Sequence, residues 1–248
     1  MSYPYLEYSL DLLPPGQMAW PEVTSSAIGG GISASGISRS IDMSGGGFVT
    51  VEYMNIQLGN RNQSALRFWN RICAATKGGV RPIVVPLLTD FTAPVSQSAL
   101  LRPTTLTPFS DGSTFSDSTV FSSSEPVSGA VTAPAAVGAA TISASVIGGT
   151  ANLEGGEWFS IAHPTKGERA YVLTDTPSGS VAVADLNNVF TFNIRPTLRE
   201  ALTGGEIVRW WRPRCVMGID PSTPIRTVVE RHFWSTPSIK FVEWFGAL

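Results

Sequence analysis

Apolar and polar residues alternate with a period of two over much of this chain, and turn-forming residues interrupt the alternation at short intervals. The pattern is plainest between residues 155 and 215. Residues 157–162 read as a strand, Pro164-Thr165-Lys166-Gly167 as a turn, and residues 169–174 as the returning strand. Phe190, Phe192 and Ile194 then alternate with Thr191, Asn193 and Arg195, which sets apolar groups on one face of a strand that Pro196 ends. Gly204-Gly205 turns the chain into Ile207-Val208-Arg209-Trp210-Trp211.

Upstream, residues 48–58 predict a strand that is apolar on both faces, with Val49, Val51 and Tyr53 on one side and Phe48, Met54, Ile56 and Leu58 on the other. Such a strand is either central in a layered domain or half covered by a partner. Residues 62–77 predict one α-helix. Asn62 is its N-cap, Leu66, Trp69, Ile72 and Cys73 form its apolar stripe, and Lys77 precedes the stop at Gly78-Gly79. Residues 80–87 are extended, and Pro82 and Pro86 assign them to a sheet edge. Residues 1–46 read as an extended arm with irregular strands. Residues 225–230 and 238–245 predict two strands with a turn at 234–237, the last strand turning Ile239, Phe241 and Phe245 inward to close a sheet begun much earlier.

Between residues 90 and 150 only Asp90, Arg102, Asp111, Asp117 and Glu125 are charged. A short repeat lies inside, with Phe109, Phe115 and Phe121 each followed by Ser and by further small or acidic residues. Its even spacing puts the three rings on one face of an extended chain, which suits an ordered Ser/Phe-rich arm at about 105–127. The expected fold is mainly β. A discontinuous β-sandwich domain (1–90 and 216–248) carries the helix, and a small β-barrel or β-sandwich domain (91–215) is inserted in it.

Composition narrows the function classes. A net charge of -2 with no basic run gives no electrostatic footprint for nucleic acid or an anionic membrane. Charged residues at 15% with 43% apolar content, 24 glycines and 18 prolines argue for turn-rich β-structure, and for a surface largely covered by other subunits. No apolar run approaches the roughly 18 residues of a membrane span. No basic, apolar leader is visible around Tyr3, Pro4, Tyr5 and Glu7, so synthesis and assembly in a cytoplasm are expected. Cys73 and Cys215 leave a disulfide open without making a secreted framework.

Residues able to carry chemistry are few. His163 and His232 have no His or Cys neighbour at metal-ligand spacing, and they read as surface or packed histidines. Gly29-Gly30-Gly31 lacks the lysine of a phosphate loop and reads as a flexible or bulged loop. Asp111 and Asp117 lack the ligand alternation of a calcium loop, and Asx-turns account for them better. Glu154, Glu157, Glu200 and Glu206 read as solvated carboxylates at turns, not as a hydrolytic pair. Trp210 and Trp211 point to opposite faces of a strand, so one belongs to a core and they cannot form a single sugar platform. No catalytic, cofactor or metal residue is assigned, and no enzyme activity is expected.

The order of these pieces resembles a known family. Its carriers are Met18-Ala19-Trp20-Pro21; Phe68-Trp69 followed by Gly78-Gly79 and 81–86; Gly155-Gly156 before Trp158-Phe159-Ser160-Ile161; Tyr171-Val172-Leu173-Thr174; 192–199; and the terminal 241–245. Together they resemble the distal tail, or minor tail, proteins of long-tailed bacteriophages. The resemblance implies a virion protein of the tail tip or baseplate, whose β-sandwich domain assembles into a ring, usually a hexamer. The ring would join the tail tube protein to the hub, with tape measure and fibre proteins as further neighbours. Nucleic-acid binding and membrane insertion are not expected. The alternative is a receptor-reading carbohydrate-binding module that uses aromatics such as Trp158 or Trp210.

Overall fold

The computed structural model describes residues 5–24, 27–32, 38–42, 46–59, 62–77, 79–89, 92–94, 105–107, 121–123, 128–146, 153–175, 188–223 and 234–245. In chain order the first strands are β1 (Gln17–Thr24), β2 (Ala27–Ile32), β3 (Ser38–Asp42), β4 (Phe48–Met54) and β5 (Leu58–Gly59). The helix α1 (Gln63–Thr76) follows, then β6 (Ile83–Pro86), β7 (Thr105–Thr107) and β8 (Phe121–Ser123). Next come β9 (Ser128–Ala130), β10 (Thr141–Val146), β11 (Trp158–His163), β12 (Gly167–Leu173), β13 (Asn188–Arg195) and β14 (Ile207–Arg209). The last three are β15 (Arg214–Ile219), β16 (Trp234–Ser235) and β17 (Ile239–Glu243).

Two sheets dominate. The first has the order β1-β4-β17-β15-β6, so the final strand slots between β4 and β15 and draws the end of the chain into a sheet begun at Gln17. The second has the order β10-β13-β12-β11-β14-β9. Its two ends meet: Thr132 N–H donates to Ser143 O, and the Ser145 hydroxyl bonds the backbone of Ala130. The second sheet is therefore a nearly closed barrel, filled by Phe159, Tyr171, Phe192, Ile194, Val208 and Trp210.

The helix forms where the stripe predicts it, and its caps explain its ends. Asn62 accepts the Ala65 N–H at 3.0 Å, and Lys77 takes a left-handed φ of 47° that stops the helix one residue before the glycines. The buried line runs through Ala65, Trp69, Ile72 and Thr76, with Leu66 and Cys73 only half-buried at its margin. This helix covers the core side of the first sheet, beside Val49, Val51, Tyr53 and Phe241.

Several expectations are corrected. The strand from Phe48 ends at Met54, because Asn55 adopts φ 54° and resets the alternation. Ile56 and Leu58 then fall into the same core as Val49, Val51 and Tyr53, so the strand is not apolar on two faces. Residues 234–235 form β16 against β5 and are not a turn. Phe245 is 54% exposed and lies beneath the Arg199 guanidinium (4.8 Å), not inward. The glycine run 29–31 lies within β2, opposite β3, where the register shifts between Gly29 and Ile32. The strand expected at 225–230 lies outside the described residues. So does most of the Phe/Ser repeat, of which residues 121–123 pair with 105–107.

The edge strand β6 is covered. Val84 exchanges backbone hydrogen bonds with Leu6 and Tyr8 (2.9 and 2.8 Å), so the amino-terminal arm lies beside the edge that two prolines mark. Tyr8 and Leu13 anchor this arm in the core, Tyr8 against the rings of Tyr53 and Phe241 at 5.1 and 5.9 Å.

The barrel shares a wall with the first sheet. Phe159, Ile161, Tyr171 and Leu173 of the β11–β12 hairpin face the barrel interior, whereas Trp158 and Ala170 belong to the other core. That is why nearly every strand residue of this hairpin is buried, Ser160, His163, Glu168 and Arg169 included, where a half-exposed strand would alternate.

Candidate functional site

The acidic residues at turns serve the backbone. Glu157 is buried, and its carboxylate accepts the N–H groups of Glu154 (2.6 Å) and Gly155 (2.8 Å). Glu206 does the same for Thr203 (2.7 Å) and Gly204 (2.9 Å). Both turns hold a Gly-Gly pair at φ between 91° and 98°, which no other residue adopts cheaply, and both launch a barrel strand. Glu200 reaches across to the β11–β12 turn and accepts from the Thr165 hydroxyl (2.9 Å) and the Lys166 N–H (2.9 Å). Burial pushes the Glu200 and Glu206 carboxyls up, but the combined hydrogen bonds outweigh it and hold both below the ordinary carboxylate value. The solvated reading therefore fails for Glu157. The twice-used Gly-Gly-Glu sequence was the signal that could have revealed the caps.

His163 is a packed histidine at the end of β11. It is fully buried, its Nε2 shares a 2.7 Å hydrogen bond with the Tyr171 hydroxyl, and burial lowers its pKa to about 4. Cys73 and Cys215 are both free thiols, and Cys215 is pushed up to about 12 by burial and then by the nearby Glu243 charge. Among the described residues no group of three or more His, Cys, Asp or Glu side chains could hold a metal ion. His232, Asp111 and Asp117 lie outside the described residues.

A charged cluster ties the barrel to the first sheet. Glu243 of β17 accepts from Arg199 Nε (3.0 Å) and Nη2 (3.1 Å) and from the Val49 N–H (3.2 Å), and Arg169 of β12 lies 3.8 Å away. The guanidiniums extend the tie to backbone carbonyls, Arg169 donating to Val216 and Trp244 and Arg199 to Gly47. All three side chains are largely out of water, so the cluster fixes a geometry and leaves no open reactive group.

The strand expected to run through Trp211 ends at Arg209, and the adjacent tryptophans just beyond it separate, one fully buried and one half-buried. Trp210 fills the barrel at 0% exposure, its ring 4.8 Å from Phe159. Trp211 turns outward and is half-buried, with the Arg212 guanidinium 5.6 Å from its ring. Trp158 is buried in the shared wall. Neither Trp158 nor Trp210 can stack on a ligand, which corrects their assignment as sugar-contacting aromatics.

Trp211 instead borders a cleft of about 440 Å³. Arg209, Arg212 and Arg214 line one side, and the amino-terminal arm contributes Glu7 and Asp11 from the other. Glu7 pairs with Arg214 at 3.1 Å across it. A second cleft of about 370 Å³ lies on the far side of Arg209, between the Gly204-Gly205 turn and Pro164. Sequence reading missed this site because it needs residues 7–11 beside residues 209–214, a juxtaposition only the covered β6 edge creates.

No family model matches the chain, and no curated protein matches it either.

Proposed function

We propose that this chain is a structural component of a bacteriophage tail tip, a subunit of a six-fold ring that joins the tail tube to the hub and fibres. The observation that carries it is the β2–β3 ladder, which lies in sequence between β1 and β4 of the first sheet yet forms a two-stranded sheet of its own. A two-stranded ribbon is marginal in water by itself, so packing against a neighbouring subunit supplies what the sheet does not. The register sets Ile28 opposite Ile41 within that ladder. Further support comes from the weakly charged composition and from Trp20 on β1, a large apolar side chain left 44% exposed. The family resemblance supplies the identity of the neighbours; in this reading the protein acts by assembly and catalyses nothing.

Light scattering and negative-stain imaging of the concentrated protein test the assembly, with particle mass spectrometry as the test of location. A closed ring that disappears when residues 27–42 are replaced by a short turn, while the monomer stays folded, is the expected result. A monomer at every concentration, absent from purified particles, would end the proposal.

A further inference from the structure

We propose that the outward face of β14 and its continuation to Arg214 is a binding groove for a neutral oligosaccharide, with Trp211 as its stacking face. Val208 and Trp210 point into the barrel and are fully buried. On β14 the period of two therefore turns Ile207 and Arg209 outward, and Trp211, half-buried just past the strand's end, lines the same cleft as Arg209. Clefts of about 440 and 370 Å³ lie along this stretch, and the Arg209 side chain borders both. Each falls within the roughly 300–1,000 Å³ range of small-ligand sites.

The wall chemistry selects the ligand. Guanidinium groups only donate hydrogen bonds and carboxylates only accept them. In the larger cleft Arg209, Arg212 and Arg214 face Glu7 and Asp11. An anionic ligand would meet the two carboxylates, a cationic one would meet three guanidiniums, and an apolar one would cover charged groups without replacing their solvation. Vicinal hydroxyls both donate and accept, so one sugar edge can satisfy both walls at once. The C–H face of the same ring suits the half-buried indole of Trp211. Two walls are already held in place: Glu7 pairs with Arg214 at 3.1 Å and Glu168 with Arg209 at 3.3 Å, which leaves further N–H donors of each fork for the groove. Arg212, exposed and at a left-handed φ of 43°, stands over the indole at the rim. None of these features depends on assembly into a ring.

The test uses the whole protein on a glycan array of short neutral hexose and N-acetylhexosamine oligomers, with polygalacturonate oligomers as the charged comparison. Hits are then titrated by calorimetry and by tryptophan fluorescence. The expected result is binding of at least one neutral oligomer, weakened about tenfold or more by Trp211→Ala and several-fold by Asp11→Asn. Melting temperature and oligomeric state are measured on the same samples. Asp11→Asn keeps the test decisive if Trp211→Ala disturbs folding. An array silent to neutral glycans, binding of the charged oligomers only, or binding indifferent to both substitutions overturns the groove. A monomer that still binds sugar through Trp211 overturns the ring and leaves the groove standing.

Discussion

Replacing Glu243 by Gln removes one negative charge from the seam between the barrel and the first sheet while keeping the side chain's size. The carboxylate is 0% exposed and holds two nitrogens of Arg199 at 3.0 and 3.1 Å, with Arg169 Nη1 at 3.8 Å. Each such charge pair has a gross attraction of about 4 kcal/mol at an effective dielectric near 20, and desolvation offsets most of it while the cluster is complete. Once the anion is gone, Arg169, with only 2% of its side chain exposed, keeps the desolvation cost and loses the compensation. Breaking a buried pair from one side in this way costs about 3–5 kcal/mol. For a chain of this length each kcal/mol lowers the melting temperature by about 2–4 °C, so Glu243→Gln should melt roughly 6–20 °C below the parent. Urea unfolding followed by near-ultraviolet circular dichroism gives the free energy directly, and Glu243→Gln combined with Arg199→Gln isolates the coupling. The double variant should recover part of the loss, because one stranded cation is removed with its partner. A loss below about 1 kcal/mol, or strictly additive effects, would refute the ion cluster as the clamp between the sheets.

Two further outcomes are expected. His163 ionises near 6.5 when unfolded but near 4 in the buried site, so the unfolded chain binds the extra proton first. Stability contributed by the neutral ring is complete above about 6.5 and falls by about 3 kcal/mol as the pH drops to about 4; the depressed carboxyls of Glu200 and Glu206 add their losses only below their ordinary value of 4.5. Urea midpoints that stay flat from pH 7 to pH 4.5 would show that His163 is solvated. Gly129 permits the barrel seam to close, since a Cβ there would sit 1.8 Å from the Ser145 carbonyl oxygen. Gly129→Ala should therefore lose the near-ultraviolet signal of Trp210, and a wild-type spectrum would mean that β9 and β10 do not meet as described.

What was legible in the sequence follows from how local each signal is. The helix, the β11–β12 hairpin and the alternation in β13 are set by neighbouring residues, and each forms within a residue or two of its expected bounds. The strand beginning at Phe48 stops short of Leu58 because one left-handed residue, Asn55, resets the two-residue phase, and Asn is among the few non-glycine residues that adopt that conformation readily. Phe245 lies two residues past the end of β17 at Glu243, where the alternation of Ile239 and Phe241 no longer holds. Glu243 itself was invisible as a buried charge, since its partners Arg169 and Arg199 come from the barrel, far away in sequence. The Trp211 cleft was hidden for the same reason, as half of its wall is the amino-terminal arm.

The chain passes from the barrel back to the first sheet in the short stretch from Trp210 to Pro213, with no flexible spacer, and Pro213 O is itself tied to Leu87 N–H. Force applied to the barrel's outer wall would thus travel straight into β15 and its neighbours without first taking up slack.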